Sequence, residues 1–504
     1  MTASADANRA KGISSATSGK ARGIDDLGQA MNELGEEYWL SVSGYDPRLR
    51  QEPWQARRAA GKALRARVPR EVHGQWSPDP DRPDPLEIVL ATNEGRQQEL
   101  IPLRMARMAA SPFTFYRGAA AVMAWDLART PITGMPVVMD GDAHLNNFGL
   151  YATPQREVIF DINDFDEVVI GPWEWDLKRL AASVNIAGRE NGLNRQERRQ
   201  AVESSVRGYC TNAERFQDRG VLDVWYQHMY PEPVMAAARH EIFQKIDART
   251  REVWGKAIEK AKRTTSETLL PKVAEQAQGV GWRFKADPPV LTAVDSSTAS
   301  NVVNSLVEYA ESLTNERRFM LKRYQPVDVA HRVVGVGSVG VRAYLVLLFG
   351  SGESDPMFLQ VKEAPEPAHS RYLRATGRDD HHGSRVVSGQ RVLQASTDFM
   401  LGWTTIDGRD YYVRQMKNMK GSIPIEMLSR KSLAVYAFAC GAILARGHAR
   451  TGDIAKIAGY CGQSAALGSA LADFAEAYAD QNEKDHAALA GAIAKGAIKA
   501  AVSA

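Results

Sequence analysis

Apolar residues recur at helical spacing through residues 100–110 and again through 119–128, and Pro112 divides the two runs. Short apolar runs at 136–139 and 157–162 read as strands on either side of a loop at 141–149, and the second enters a strongly acidic turn. After Gly171-Pro172, helical periodicity extends to about residue 272, with breaks at Pro231 and Pro233, and a short extended piece follows at 288–293. From 331 to 415 the pattern turns β-rich. Runs at 344–349 and 357–361 are separated by the turn Gly350-Ser351-Gly352-Glu353-Ser354-Asp355-Pro356, residues 385–399 read as helix, and 411–415 as another strand. Everything beyond residue 427 reads as helix, ending in an alanine-rich tail.

The predicted class is α+β. The chain has 504 residues, too many for one ordinary core. Its predicted organisation is a disordered N-terminus (1–25), a helical arm with a proline-dense linker (26–95), a helical region with the acidic loops (96–325), a β-rich region (326–425) and C-terminal helices (426–504) that return to the helical region. The formal net charge is +3, from 63 basic against 60 acidic residues, so no basic excess points to nucleic acid. The run Arg57, Arg58, Lys62, Arg65 and Arg67 reads as a solvated helix face. Cys210, Cys440 and Cys461 are an odd, sparse set with no CxxC pair, which argues against a disulfide framework and a structural zinc site. No apolar stretch reaches the roughly 18 residues of a membrane span. The expectation is a soluble cytoplasmic protein without a membrane partner.

The densest chemistry lies in Asp140-Gly141-Asp142-Ala143-His144-Leu145-Asn146-Asn147 and in Asp161-Ile162-Asn163-Asp164-Phe165-Asp166-Glu167. Phosphoryl transfer needs a carboxylate to take the acceptor's proton, and hard oxygen ligands for magnesium on the nucleotide phosphates. An Asp followed five residues later by an Asn supplies both: Asp142 as base and Asn147 as metal ligand. So many acids and amides this close are costly unless a cation neutralises them. The competing reading is a solvated acidic turn or a helix-capping Asp.

The first loop resembles the H-G-D-x-H-x-x-N catalytic loop of aminoglycoside-phosphotransferase-like kinases. Asp164-Phe165-Asp166 resembles their metal-binding motif, and Gly171-Pro172-Trp173-Glu174-Trp175-Asp176-Leu177 their following G-D-P-x-x-D-L segment. More specifically, Ser111-Pro112-Phe113-Thr114-Phe115-Tyr116-Arg117-Gly118 and these three segments resemble the uncharacterised bacterial domain-of-unknown-function family "twenty-two fifty-two". The resemblance implies a kinase-like two-lobed fold, with magnesium and ATP as cofactors. It implies that Asp164, with Asp166, rather than Asp161, serves the metal, and that Asp176 supports the catalytic loop. Asp140 stands where the pattern has its first His, so the usual backbone-anchoring imidazole is missing.

Gly335-Val336-Gly337-Ser338-Val339-Gly340 precedes a strand, and glycines there let backbone amides approach phosphate oxygens. A tight hairpin turn is the alternative. The next strand ends at Lys362, which resembles the phosphate-pairing lysine of kinases. The cofactor-binding set is therefore Gly335, Gly337, Ser338, Gly340 and Lys362. These motifs follow the catalytic loop instead of preceding it. Glycine loop, lysine, helix, strand, connecting segment 416–422, long helix 428–446, catalytic loop and metal loop fall into the usual order when the chain is read as a circular permutation. The helix 385–399 lacks a glutamate to pair with Lys362, leaving Gln390, Gln394 or Asp398 as candidates.

Arg117 is a candidate for phosphate or substrate, or for a buried ion pair. His144 can touch metal or acceptor, or be structural. His448 reads as a helix-end cap, and Trp173 and Trp175 as core. The resulting expectation is transfer of the γ-phosphate of ATP to an unidentified small-molecule or protein hydroxyl. The alternatives are a nucleotide-binding pseudokinase, an AMP-transferring protein and, with no further histidine motif to support it, a metallophosphoesterase.

Overall fold

The computed structural model describes residues 52–231, 248–279, 281–333, 335–373, 381–416 and 419–501. The expectations for residues 1–51 lie outside them. The architecture is mixed α+β. Its main sheet has six strands in the order β11 (Gly402–Ile406), β12 (Arg409–Gln415), β10 (Pro356–Glu363), β9 (Ala343–Phe349), β8 (Gln325–Arg332) and β7 (Leu291–Ala293), every pair antiparallel.

The continuous apolar run of β9 follows from burial of both sheet faces. Side chains alternate across a strand. Val346 and Leu348 pack with Val302 and Tyr309 of the Ser296–Glu311 helix on one face. Leu345 and Leu347 pack with Leu269 and Leu270 of the Ser266–Val273 helix on the other. The sheet thus draws its edge strand β7 and both covering helices from before residue 326.

The helical body is built on Trp173–Glu190, Arg195–Phe216, Arg430–Thr451 and Ser464–Ala494. Two of these cross in near backbone contact, since a Cβ on Gly441 would lie 2.0 Å from the Ser205 carbonyl oxygen. Glycine at the crossing is a packing requirement. The Arg430–Thr451 helix is long and apolar enough to cross a membrane, yet 89% of its apolar window is buried inside the molecule. Trp173 and Trp175 are core, and all three cysteines are buried and free.

Two small antiparallel sheets carry the acidic loops. β1 (Pro136–Met139) pairs with β4 (Val169–Pro172), and β2 (Phe148–Ala152) with β3 (Val158–Ile162). A third hairpin pairs β5 (Ala274–Ala277) with β6 (Gly281–Phe284). Strand β11 escaped the sequence pattern, and the 385–399 helix forms instead at His382–Leu393.

Candidate active site

The loop after β1 is fixed from below by the helix that begins at Trp173. Asp176, in its first turn, accepts hydrogen bonds from the backbone N–H of Asp140 (2.7 Å) and of Gly141 (2.9 Å). An imidazole joins this anchor from a distant part of the chain. His448 Nε2 lies 3.2 Å from Asp176 Oδ2, and its Nδ1 lies 2.8 Å from the Tyr209 hydroxyl. The helix-cap reading of His448 is therefore corrected: its ring is fully buried and turned onto Asp176. Gly141 has φ +77°, and a Cβ there would meet the Glu167 carbonyl oxygen at 2.1 Å, so no other residue fits this corner. Asp140 is buried, and neither carboxyl oxygen has a hydrogen-bond partner. Burial, then the neighbouring carboxylates of Asp176 and Asp142, push its carboxyl well above the ordinary value, which favours a neutral acid.

Asp142 faces Arg179, whose Nε donates to Oδ1 at 2.5 Å. Arg179 also donates to the Tyr116 carbonyl (3.1 Å) and lies over the Tyr116 ring. Burial raises the Asp142 carboxyl, and Arg179 opposes that rise. His144 is buried, with Nε2 3.6 Å from Asp142 Oδ2 and Nδ1 unpartnered. Burial, with Arg117 and Arg179 nearby, holds its imidazole well below the ordinary value, hence neutral.

Asn147 Nδ2 donates to the Asp142 carbonyl (2.7 Å), and the Asn147 carbonyl accepts from the Asn163 N–H (2.8 Å), which ties the two acidic loops together. Asp161 is fully buried and consumed internally, by Arg446 at 2.5 Å and by the N–H groups of Ile162 and Ala395 at 2.9 Å. Asp164 instead lines the open cleft. Burial would raise its carboxyl, but Lys362, Arg414 and Lys420 together hold it below the ordinary value.

Lys362, at the end of β10, meets the acidic loop directly. Its ammonium contacts Asp166 and donates to Ser338 Oγ (2.9 Å). Against the burial that would lower it, Asp166 leads the groups that hold the ammonium above its ordinary value. None of the helix-side candidates is its partner. Gln390 donates to Gln394 (2.9 Å), Gln394 to the Ile162 carbonyl (2.6 Å), and Asp398 accepts the N–H groups of Met400 and Gln415. The glycine loop is tied down by the segment before residue 110. Arg96 donates to the carbonyls of Gly337 and Val339 (2.8 Å each), Arg107 to that of Gly335 (2.7 Å), and the Gln97 N–H to that of Gly340 (2.8 Å).

A cleft of about 780 Å³ brings together Arg117, Asp142, His144, Asn147, Asp164, Asp166, Gly335, Gly337 and Ser338. Lys362 and Gly340 stand behind its wall, and Asp176 beneath its floor. Among the described residues no three His, Cys, Asp or Glu side chains converge as a metal cluster. The donors present are hard oxygens: the Asp164 carboxylate, the Asn147 side chain and Asp166 Oδ1, which is buried without a partner. Magnesium suits such a site, because it takes one or two carboxylates and completes its shell with phosphate and water oxygens. Arg179 was missed in the sequence, although its spacing of three from Asp176 puts both on one helix face.

Fold and site define a mixed α+β protein whose acidic loops meet a lysine and a glycine loop across one cleft. The chain belongs to the family described as "Uncharacterized protein conserved in bacteria (DUF2252)", whose model matches residues 96–492. No curated protein and no solved structure matches it.

Proposed function

We propose that the protein is a kinase-like transferase that binds magnesium–ATP in this cleft and passes a phosphorus-containing group to a hydroxyl acceptor. The observation that carries the reading is the contact of Lys362 with Asp166, 196 residues apart in sequence, beside Asp142 and Asp164. The element order supports it as well. The glycine loop joins β8 to β9, Lys362 ends β10, and the His382–Leu393 helix precedes β11 and β12. The Arg430–Thr451 helix then brings His448 to Asp176 beneath the Asp140–Asn147 loop, an order that supports the reading of a circularly permuted two-lobed kinase-like fold.

In this reading Asp142 takes the acceptor's proton, and Arg179 holds its carboxylate in place. Asn147 and Asp164, with Asp166, would hold magnesium, which when bound neutralises charge on the phosphates. Lys362 and the amides of the Gly335–Gly340 loop would receive phosphate oxygens, and Arg117, with its Nε unpartnered at the cleft wall, adds a cation for phosphate or acceptor. The kinase reading has γ-phosphate transfer as its ordinary outcome, and the intact acid set weighs against a pseudokinase.

The test is calorimetry of ATP binding with and without magnesium, for wild type, Asp164→Ala and Lys362→Ala. Magnesium-dependent binding that both variants lose supports one nucleotide site built from both segments. Folded wild type that binds no nucleotide overturns the reading.

A further inference from the structure

Most arginines that line the large cleft are already occupied. Arg96 holds the carbonyls of Gly337 and Val339. Arg104 donates to the Thr92 hydroxyl (2.9 Å) and the Gly118 carbonyl (3.2 Å), and Arg409 pairs with Glu363 at 3.0 Å. Arg371 is exposed. Arg117 differs from all of these. Its guanidinium makes no hydrogen bond or ion pair among the described residues, and its Nε is buried without a partner. Burial lowers this group from its ordinary value, and Asp142, then Asp164, oppose that from beyond contact distance. Neither carboxylate is free to be its counter-ion, because Asp142 is held by Arg179, and Lys362, Arg414 and Lys420 act on Asp164. A largely desolvated cation without a partner is unfavourable, and an anion that enters the cleft relieves it.

The backbone beneath Arg117 is fixed from several sides. The residue lies in the last turn of the Pro112–Gly118 helix, whose start is closed by reciprocal hydrogen bonds between Ser111 and Thr114 and tied to Glu190 through the Phe113 N–H (2.7 Å). The Tyr116 hydroxyl donates to the Arg179 carbonyl (2.7 Å), and the Arg179 guanidinium donates to the Tyr116 carbonyl (3.1 Å). The arginine that holds Asp142 thus also positions the residue before Arg117. The glycine loop abuts the same turn, since a Cβ on Gly337 would lie 3.3 Å from the Arg117 carbonyl oxygen. Arg117 therefore stands beside that loop, in the field of the proposed base and of the proposed metal ligand Asp164. In an in-line transfer, the group between an acceptor at the base and the metal-bound phosphates is the one in flight.

We propose that Arg117 is a catalytic residue whose guanidinium fork binds two equatorial oxygens of the γ-phosphoryl group as that group is transferred. The bond from the acceptor oxygen to the γ-phosphorus forms as the bond from that phosphorus to the bridging oxygen of the β-phosphate breaks. The electron pair leaves with ADP, and the acceptor's proton goes to Asp142. Charge on the equatorial oxygens meets Arg117 throughout. The assignment rests on the magnesium–nucleotide reading above, and it gives to the transferred group a cation which that reading leaves open between phosphate and acceptor.

The experiment measures binding of magnesium–ADP with and without aluminium fluoride, a mimic of the phosphoryl group in flight, by calorimetry. Wild type is compared with Arg117→Met, which keeps the aliphatic stem and removes the cation. Arg117→Gln serves where that variant folds poorly. The expected result is magnesium–ADP affinity within about twofold of wild type, and a loss of about tenfold or more in the affinity gained on adding aluminium fluoride. A gain that survives in the variants overturns the assignment and moves Arg117 to the acceptor. A tenfold loss of magnesium–ADP affinity itself also overturns it, because Arg117 then serves the bound nucleotide alike before and during transfer. Wild type that binds magnesium–ADP but gains nothing from aluminium fluoride overturns it as well, and leaves the nucleotide site standing. Wild type that binds neither magnesium–ADP nor magnesium–ATP overturns both.

Discussion

Replacing Arg179 by Gln leaves the Asp142 carboxylate without its cation in a wall where the two side chains are 1% (Arg179) and 20% (Asp142) exposed. At contact distance and an effective dielectric of about 20, the attraction is worth up to ~4 kcal/mol, and breaking a largely buried pair from one side costs about 3–5 kcal/mol. Arg179→Gln also loses the hydrogen bond to the Tyr116 carbonyl, so the pair's own share needs a double-mutant cycle with Asp142→Asn. Urea unfolding of the four proteins at neutral pH should give a coupling of about 2–4 kcal/mol. The penalty of the single variant also has a signed pH dependence. Without the cation, the carboxyl of Asp142, already raised by burial, takes up its proton at higher pH than in wild type. The penalty is therefore full well above that point and shrinks as pH falls through it. A coupling below about 0.5 kcal/mol, or a penalty that grows towards acid, would refute the electrostatic account of the loop.

Further expectations concern the loop's anchor and the lysine. Asp176→Ala removes the acceptor of two backbone N–H groups and the partner of His448, so stability should fall by about 3 kcal/mol or more in urea unfolding. Gly141→Ala forces a side chain against the Glu167 carbonyl, and should lower thermal stability more than Gly95→Ala, which also has positive φ but open space around it. Lys362→Met leaves Asp166 unpaired in a crowded acidic loop, and should weaken ATP binding by about tenfold or more while strengthening binding of magnesium alone, read by calorimetry.

Local pattern made much of this site readable. The two acidic loops sit between short apolar runs, and the hairpin that ends in Lys362 is punctuated by a seven-residue turn rich in glycine and polar residues, so strand ends and loop chemistry could be placed together. What escaped depended on long-range contact. His448 resembled a helix cap because nothing near it in sequence reveals Asp176, 272 residues away. A partner for Lys362 was sought on the following helix, whereas the fold turns that helix's glutamines inward and presents Asp166 instead. Strand β11 was hidden because Gly402 and two threonines dilute its alternation, and its identity comes from pairing with β12.

The four hydrogen bonds from Arg96, Gln97 and Arg107 to carbonyls of the glycine loop have a kinetic consequence. A phosphate-binding loop on a free hairpin must fold down over its ligand, and the ordering cost and the closing step then enter both affinity and rate. Here the loop is stapled at Gly335, Gly337, Val339 and Gly340 by the segment before residue 110. Ligand entry should therefore follow simple one-step association with a rate linear in concentration, and cutting the staple with Arg96→Ala should introduce a saturating isomerisation phase in stopped-flow traces.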